Sequence, residues 1–143
     1  MSFDPGVGQL TTLATFAWSI YKSCKAAPEA FENISFEVLS LHAVLKEAEE
    51  TVFAQSLSPA KQERMKVVGD GCYRVLTDLD NLCKKYHSLG TQSKRTWDRL
   101  RWGSEDIADL RSRLISNTGL LTAWMRYVHE IVPNGSLADG PGS

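Results

Sequence analysis

Four separate stretches of the chain carry apolar residues at alternating steps of three and four, the spacing of a heptad repeat. This spacing predicts α-helices that each turn one narrow seam toward neighbouring helices, with crossing angles of about 20°. None of the four helices could bury its seam alone, so the pattern predicts an all-α, antiparallel four-helix bundle. The seam positions are Leu10, Leu13, Ala17, Ile20 and Cys24; Ile34, Val38, Leu41, Leu45, Ala48 and Val52; Met65, Val68, Cys72, Val75, Leu79, Leu82, Tyr86 and Leu89; and Ile107, Leu110, Leu114, Asn117, Leu121, Trp124, Val128 and Ile131.

Turn-forming residues separate these stretches. A proline stands near each of three expected helix starts, where its missing N–H costs nothing, at Pro5, Pro28 and Pro59. Gly90 is expected to end the third helix, and the Pro133-Asn134-Gly135 sequence to end the fourth.

The segment between helices three and four has a pattern of its own. Trp97, Leu100 and Trp102 follow one another at roughly helical spacing. We therefore expect a short additional helix within residues 91–103, lying across one end of the bundle. The chain then divides into a helical bundle domain over residues 1–132 and a flexible C-terminal linker or tail over residues 133–143, which has linker composition.

Polar and small residues stand inside two of the predicted helices. Asn117 occupies a seam position, where a polar side chain costs stability but can fix the register between helices, and we interpret it as a register residue. Gly69 and Gly71 lie inside the third helix, where each costs about 1 kcal/mol relative to alanine. Such glycines indicate a close approach between helices or a kink.

Composition excludes several classes of function. A chain of 143 residues with 16 Lys+Arg and 17 Asp+Glu fits one domain without a global attraction to nucleic acid. The three cysteines show no metal-binding spacing, and we interpret them as reduced core residues of a cytosolic protein. The three histidines are widely spaced and form no metal motif. We therefore expect no catalytic residues, no metal and no cofactor, and a protein that is not an enzyme.

The opening helix avoids charge on every side. No charged residue occurs between Asp4 and Lys22, and the side opposite the seam carries threonines and serines. These polar residues argue against a resident transmembrane span, while Phe16, Trp18 and Tyr21 widen the apolar arc. Such a helix could stay buried in the bundle, or leave it for a membrane or a partner protein.

Basic and aromatic residues are mixed between Lys84 and Arg101. This combination suits the surface of an anionic bilayer, where each cation contributes about 1 kcal/mol. The alternative is a solvated basic surface whose tryptophans close one end of the bundle. The candidate lipid-binding residues are Lys94, Arg95, Arg99, Arg101, Trp97 and Trp102.

Three segments carry a resemblance to a known family. They are Val7–Leu10, Val38–Glu50, and the run from Trp97 through Leu121. Over residues 7–132 the chain resembles the N-terminal helical domains of fungal NOD-like (STAND) and ankyrin-repeat proteins, grouped around the HeLo-like cell-death domains. More distantly, it is similar to the four-helix bundle of the mixed lineage kinase domain-like pseudokinase and to the coiled-coil domains of plant immune receptors.

The resemblance implies a cytoplasmic signalling module that is restrained by the regulatory or receptor region of a larger protein. On activation such a module forms a homo-oligomer, relocates to the plasma membrane and exposes its N-terminal helix to anionic lipids. The residues of this chain that would insert are Leu10, Leu13, Phe16, Trp18 and Ile20. The alternative is a protein–protein interaction module of a larger NOD-like receptor, which docks through the same helix without direct membrane activity.

Overall fold

The computed structural model describes the backbone of residues 7–26, 31–54, 56–87 and 102–139, and the side chains of residues 9–26, 31–54, 56–87 and 106–129. Within these ranges the chain is helical and contains no strand, which confirms the predicted all-α class. The helices are α1 (Val7–Lys25), α2 (Glu32–Ala54), α3 (Pro59–His87) and α4 (Trp102–Asp139).

The heptad seams form the core of a helical bundle. The five seam residues of α1 are all buried, and α2, α3 and α4 contribute most of theirs to the same cluster. Val52, Val68 and Ile107 lie at its margin and are half-buried. Four residues outside the predicted seams complete the cluster: Ala14, Phe31, Leu76 and Cys83. Because most helical stability in proteins comes from tertiary packing of an amphipathic face, burial of this shared seam accounts for most of the stability of these helices.

The first and last helices share the same two neighbours in the bundle. α1 packs against α2 and α3, and α4 packs against the same two helices.

The start of α3 matches the sequence signal, because the helix begins at Pro59 and the Ser58 hydroxyl accepts a hydrogen bond from the Lys61 N–H at 3.3 Å.

A glycine allows α3 and α4 to approach closely. A Cβ placed on Gly71 would overlap the side-chain oxygen of Asn117 on α4. This is the close approach that a glycine inside the third helix predicts. Gly69, the other glycine that the sequence places inside the third helix, is buried.

The end of α4 differs from the prediction. The helix continues through Pro133, Asn134 and Gly135 to Asp139, so the expected end at these three residues is wrong. Proline lacks the N–H that would bond one turn back, but its φ is compatible with a helix, so the helix continues with one ladder bond missing. The domain boundary after residue 132 stays a prediction.

The predicted short helix between helices three and four is outside the described residues. Residues 88–101 are not described, and neither is the expected helix end at Gly90. Trp102 and Gly103, the last residues of that segment, are the first residues of α4.

Candidate functional site: the outer face of the first helix

The predicted membrane-inserting residues lie on two different sides of α1. Leu10, Leu13 and Ile20 are only 1–3% exposed and belong to the core of the bundle. Phe16 is half-buried, with its ring 5.9 Å from that of Tyr73 on α3. Trp18 is the exposed member of the set, at 41%. The five residues therefore do not form one surface while α1 is packed.

The solvent side of α1 is uncharged along most of the helix. We call it the outer face; apart from Trp18 it presents only neutral polar side chains, and lysines appear in its last turn. The exposed residues that define it are Gln9, Thr11, Thr12, Thr15, Trp18 and Ser19. Transfer of such a neutral polar surface from water to an apolar environment costs less free energy than transfer of a charged surface.

Trp18 is held in place by neighbouring rings. Its centroid lies 5.2 Å from that of Tyr21 and 5.3 Å from that of His42 on α2. Burial lowers the pKa of His42, and the positive charge of Lys46 lowers it further. A neutral imidazole therefore faces the indole over most of the physiological range.

A polar contact joins the start of α1 to the end of α2. The Thr11 hydroxyl donates to the Glu49 carboxylate, which also pairs with Lys46 at 3.1 Å. The hydrogen bond from Thr11 and then the contacts with Lys46 lower the pKa of Glu49.

Ion pairs between helices occur elsewhere in the bundle. Arg111 on α4 contacts Glu37 on α2 at 3.4 Å, and Arg113 on α4 contacts Asp78 on α3 at 2.8 Å. α4 is thus joined to both of its neighbours by charge. The contacts that hold α1 include its buried seam, its ring contacts and the hydrogen bond from Thr11.

Two cysteines meet at the end of α1. The Sγ atoms of Cys24 on α1 and Cys83 on α3 are 3.6 Å apart, and both thiols are free and buried. The hydrogen bond between them raises the pKa of Cys24 and lowers that of Cys83. Cys72, the third free and buried thiol, has its pKa raised to about 12 by burial.

Asn117, the predicted register residue, is half-buried between α3 and α4. Its amide nitrogen donates to the backbone oxygen of Arg113 on its own helix at 2.8 Å. Its amide oxygen is directed at Gly71. Because the amide donates its hydrogen bond within its own helix, its contact with α3 is steric rather than a shared hydrogen bond.

An apolar groove between α3 and α4 was not predicted from the sequence. Val67 and Leu120 are more than half exposed at its edges. Its apolar lining consists of Val67, Val68, Leu120, Ala123, Trp124 and Tyr127. The signal in the sequence was the pair Val67 and Leu120, which each stand one position before a seam residue and so have no place in the core.

The predicted lipid-binding residues Lys94, Arg95, Arg99, Arg101 and Trp97 lie outside the described residues, and so does the side chain of Trp102. Among the described side chains, no three or more His, Cys, Asp or Glu residues are grouped so that they could hold a metal ion. None of the helices in the described part of the chain combines the length and the apolar character that crossing a membrane requires.

Comparison of the chain with protein-family models, with curated proteins and with solved structures gives no match. The proposals below therefore rest on the residues and on their geometry, together with the resemblance described above.

Proposed function

We propose that the chain is a non-enzymatic, HeLo-like domain that acts in fungal cell-death or incompatibility signalling by perturbing membranes through α1. The observation that supports this most is the uncharged outer face of α1, with the Trp18 ring exposed at its centre. In this proposal the domain is cytoplasmic, is restrained by a regulatory or receptor region of a larger protein, and relocates to the plasma membrane on activation as a homo-oligomer.

The proposed architecture is an antiparallel four-helix bundle with a short additional helix between α3 and α4. The hydrogen bond from Thr11 to Glu49 joins the beginning of α1 to the end of α2, which supports opposite directions for this pair. The indole of Trp124 donates to the backbone oxygen of Lys61 at 3.0 Å, near the start of α3. With Arg113 on Asp78 further along α3, that contact supports opposite directions for α3 and α4.

Insertion of the seam would require α1 to leave the bundle. Exposing Leu10, Leu13 and Ile20 costs about 1.5–3 kcal/mol each, or about 5–9 kcal/mol together. That is comparable to the whole stability of a small domain, about 5–15 kcal/mol. A bilayer or an oligomer must therefore supply an equivalent apolar environment before release becomes favourable.

A first contact with the membrane needs no such release. Trp18 and the neutral residues around it are already exposed, and a tryptophan is favoured at the level of the lipid headgroups. The basic residues of segment 91–103 would add attraction to anionic lipid, about 1 kcal/mol for each cation near the surface. The proposed order is adsorption through the outer face, followed by release of the seam.

Vesicle binding by the full chain tests this order. We expect the wild-type protein to co-sediment with phosphatidylserine-containing vesicles and to release an entrapped dye. Trp18→Glu should abolish both effects, because it places a charge at the centre of the outer face. Phe36→Glu is the matched control, since Phe36 is an aromatic residue of α2 that is 56% exposed, and it should leave both effects unchanged.

Two results would contradict the proposal. One is a wild-type protein that neither binds nor permeabilises anionic vesicles. The other is a Trp18→Glu variant that does both as well as the wild type. Circular dichroism of both variants shows whether each remains helical.

The second candidate function is that of a protein–protein interaction module without membrane activity. The apolar groove between α3 and α4 favours it, because an amphipathic helix from the regulatory region of a larger protein would fit such a surface. Reversal of Arg95, Arg99 and Arg101 to glutamate separates the two functions. If these reversals abolish vesicle binding and retain partner binding, lipid contact through this segment is favoured. Leu120→Glu, by contrast, should impair only docking in the groove.

A further inference from the structure

The Cys24 and Cys83 thiols form a pair that no part of the proposed membrane function uses. They lie on different helices, 59 positions apart in the chain, with their sulfur atoms separated by 3.6 Å. Both are at most 2% exposed. A disulfide bond is about 2.0 Å long, so a relative shift of about 1.5 Å between the two sulfurs would join them.

The two sulfurs are not equivalent. The pKa of Cys83 is lowered because its thiolate accepts a hydrogen bond from the Cys24 thiol, although burial and the charge of Asp80 oppose this effect. The pKa of Cys24 is raised by the same hydrogen bond and by burial. Since the thiolate is the reactive form of cysteine, Cys83 is the sulfur that an oxidant meets first, and Cys24 is placed to resolve the product.

The position of the pair in the fold allows a small oxidant to reach it. Cys24 lies in the last turn of α1, and Cys83 lies in the last two turns of α3. Helix ends open locally at much lower free energy than helix centres. Hydrogen peroxide is small enough to enter through such an opening.

We infer that Cys24 and Cys83 form a redox site that hydrogen peroxide closes to a disulfide, pinning α1 to α3. In the first step the Cys83 thiolate attacks one peroxide oxygen and the O–O bond breaks. The hydroxide that leaves takes up a proton and becomes water, and Cys83 becomes a sulfenic acid. In the second step the Cys24 sulfur loses its proton and attacks the Cys83 sulfur, the S–O bond breaks, and a second water leaves. Two thiols are oxidised and one peroxide is reduced to two waters.

The consequence for α1 rests on the proposed function. Cys24 belongs to the same seam as Leu10, Leu13 and Ile20, so it faces the core together with them. A rigid α1 cannot turn this seam toward a bilayer while Cys24 is bonded to Cys83. The disulfide would therefore hold the domain in its packed state, and reduction would permit release.

Oxidation of the full chain tests the site directly. The fully reduced protein is treated with hydrogen peroxide, and its free thiols and intact mass are measured before and after. We expect three free thiols to fall to one, with a mass decrease of two hydrogen atoms and a crosslinked pair of peptides that contain Cys24 and Cys83. Cys72→Ala should form the same crosslink, because Cys72 takes no part in the pair.

Variants of the pair identify the order of attack. Cys24→Ser, whose hydroxyl can still donate to the Cys83 thiolate, should allow dimedone to trap a sulfenic acid on Cys83, whereas Cys83→Ser should leave Cys24 largely unreacted. Circular dichroism checks that both variants remain folded, and the wild-type mass result does not depend on them. Three unreacted thiols in the wild type, or a crosslink that includes Cys72, would overturn the inference.

Vesicle binding then separates the redox site from the membrane function. Reduced protein that releases dye from the vesicles, and oxidised protein that binds them but releases none, would support both proposals. A disulfide that forms in a protein binding no vesicles in either state supports the redox site and overturns the membrane function. Equal dye release by the oxidised and reduced forms overturns the proposed control of α1.

Discussion

Replacing Gly71 with alanine tests whether the Asn117 amide fixes the spacing of α3 and α4. Alanine in place of glycine inside a helix normally contributes about 1 kcal/mol of stability. At this position the new Cβ would overlap the amide oxygen of Asn117. The amide can avoid the new Cβ by turning, which strains its hydrogen bond to the Arg113 backbone oxygen, at 2.8 Å, or α4 can be pushed away.

The magnitudes decide the sign. Overpacking of this kind costs about 1–3 kcal/mol, which meets or exceeds the gain in helix propensity. Gly71→Ala should therefore change the free energy of unfolding by between about 0 and −2 kcal/mol. In an Asn117→Ala background the overlap is gone, and the same substitution should stabilise by about 1 kcal/mol. The coupling energy between the two positions is then about 1–3 kcal/mol.

Denaturant unfolding of the two single variants, the double variant and the wild type measures this cycle. Gly119→Ala is the matched control, because Gly119 is a glycine of α4 with open space around its Cβ direction and should show only the gain of about 1 kcal/mol. If Gly71→Ala stabilised the wild-type protein as much as Gly119→Ala does, the two helices would not be in close contact at this point. A coupling energy near zero would refute the register role of Asn117.

Two further predictions concern buried or half-buried rings. Because burial lowers the pKa of His42 below the ordinary value of 6.5, the unfolded chain binds the proton more tightly. The free energy of unfolding should therefore fall as the pH drops from 7.5 through 6.5. In urea titrations, His42→Gln should lose this part of the pH dependence. The control His129→Gln, at an exposed position, should keep it. Trp124→Phe removes the hydrogen bond to the Lys61 backbone oxygen and part of a buried ring, which together should lower the unfolding free energy by about 1–3 kcal/mol. An unchanged denaturation midpoint would show that this indole does not anchor α4 to α3.

The heptad pattern predicted most of the core. A seam residue such as Leu114 or Leu41 is buried because its three- and four-residue spacing keeps it on one side of a helix, which needs no knowledge of the partner helix. The end of α4 was not predictable in the same way. Pro133 and Gly135 are local turn signals, and a helix that already has its other ladder bonds can pass through them.

The division of α1 was partly visible in the sequence. Trp18 is two residues before Ile20, which at 3.6 residues per turn places it about 200° around the helix. The seam and the Trp18 ring therefore had to face different directions, although together they read as one widened apolar arc. The pairing of Cys24 with Cys83 was beyond the pattern, because seam spacing places Cys24 in the core but not Cys83, and it does not tell which helices face one another.

The two sides of α1 set the order of events that a membrane function requires. The seam cannot serve the bundle and a bilayer at the same time, because Leu10, Leu13 and Ile20 are already fully used in the core. Their release costs about 5–9 kcal/mol, which the exposed ring of Trp18 alone cannot offset, since complete burial of one large apolar side chain contributes only about 1.5–3 kcal/mol. Adsorption through the outer face is therefore a weak and reversible step. The remaining free energy for insertion has to come from many helices that insert together or from a long apolar contact in the bilayer. A bond between Cys24 and Cys83 at the end of the same helix would act on the second step and leave the first one intact.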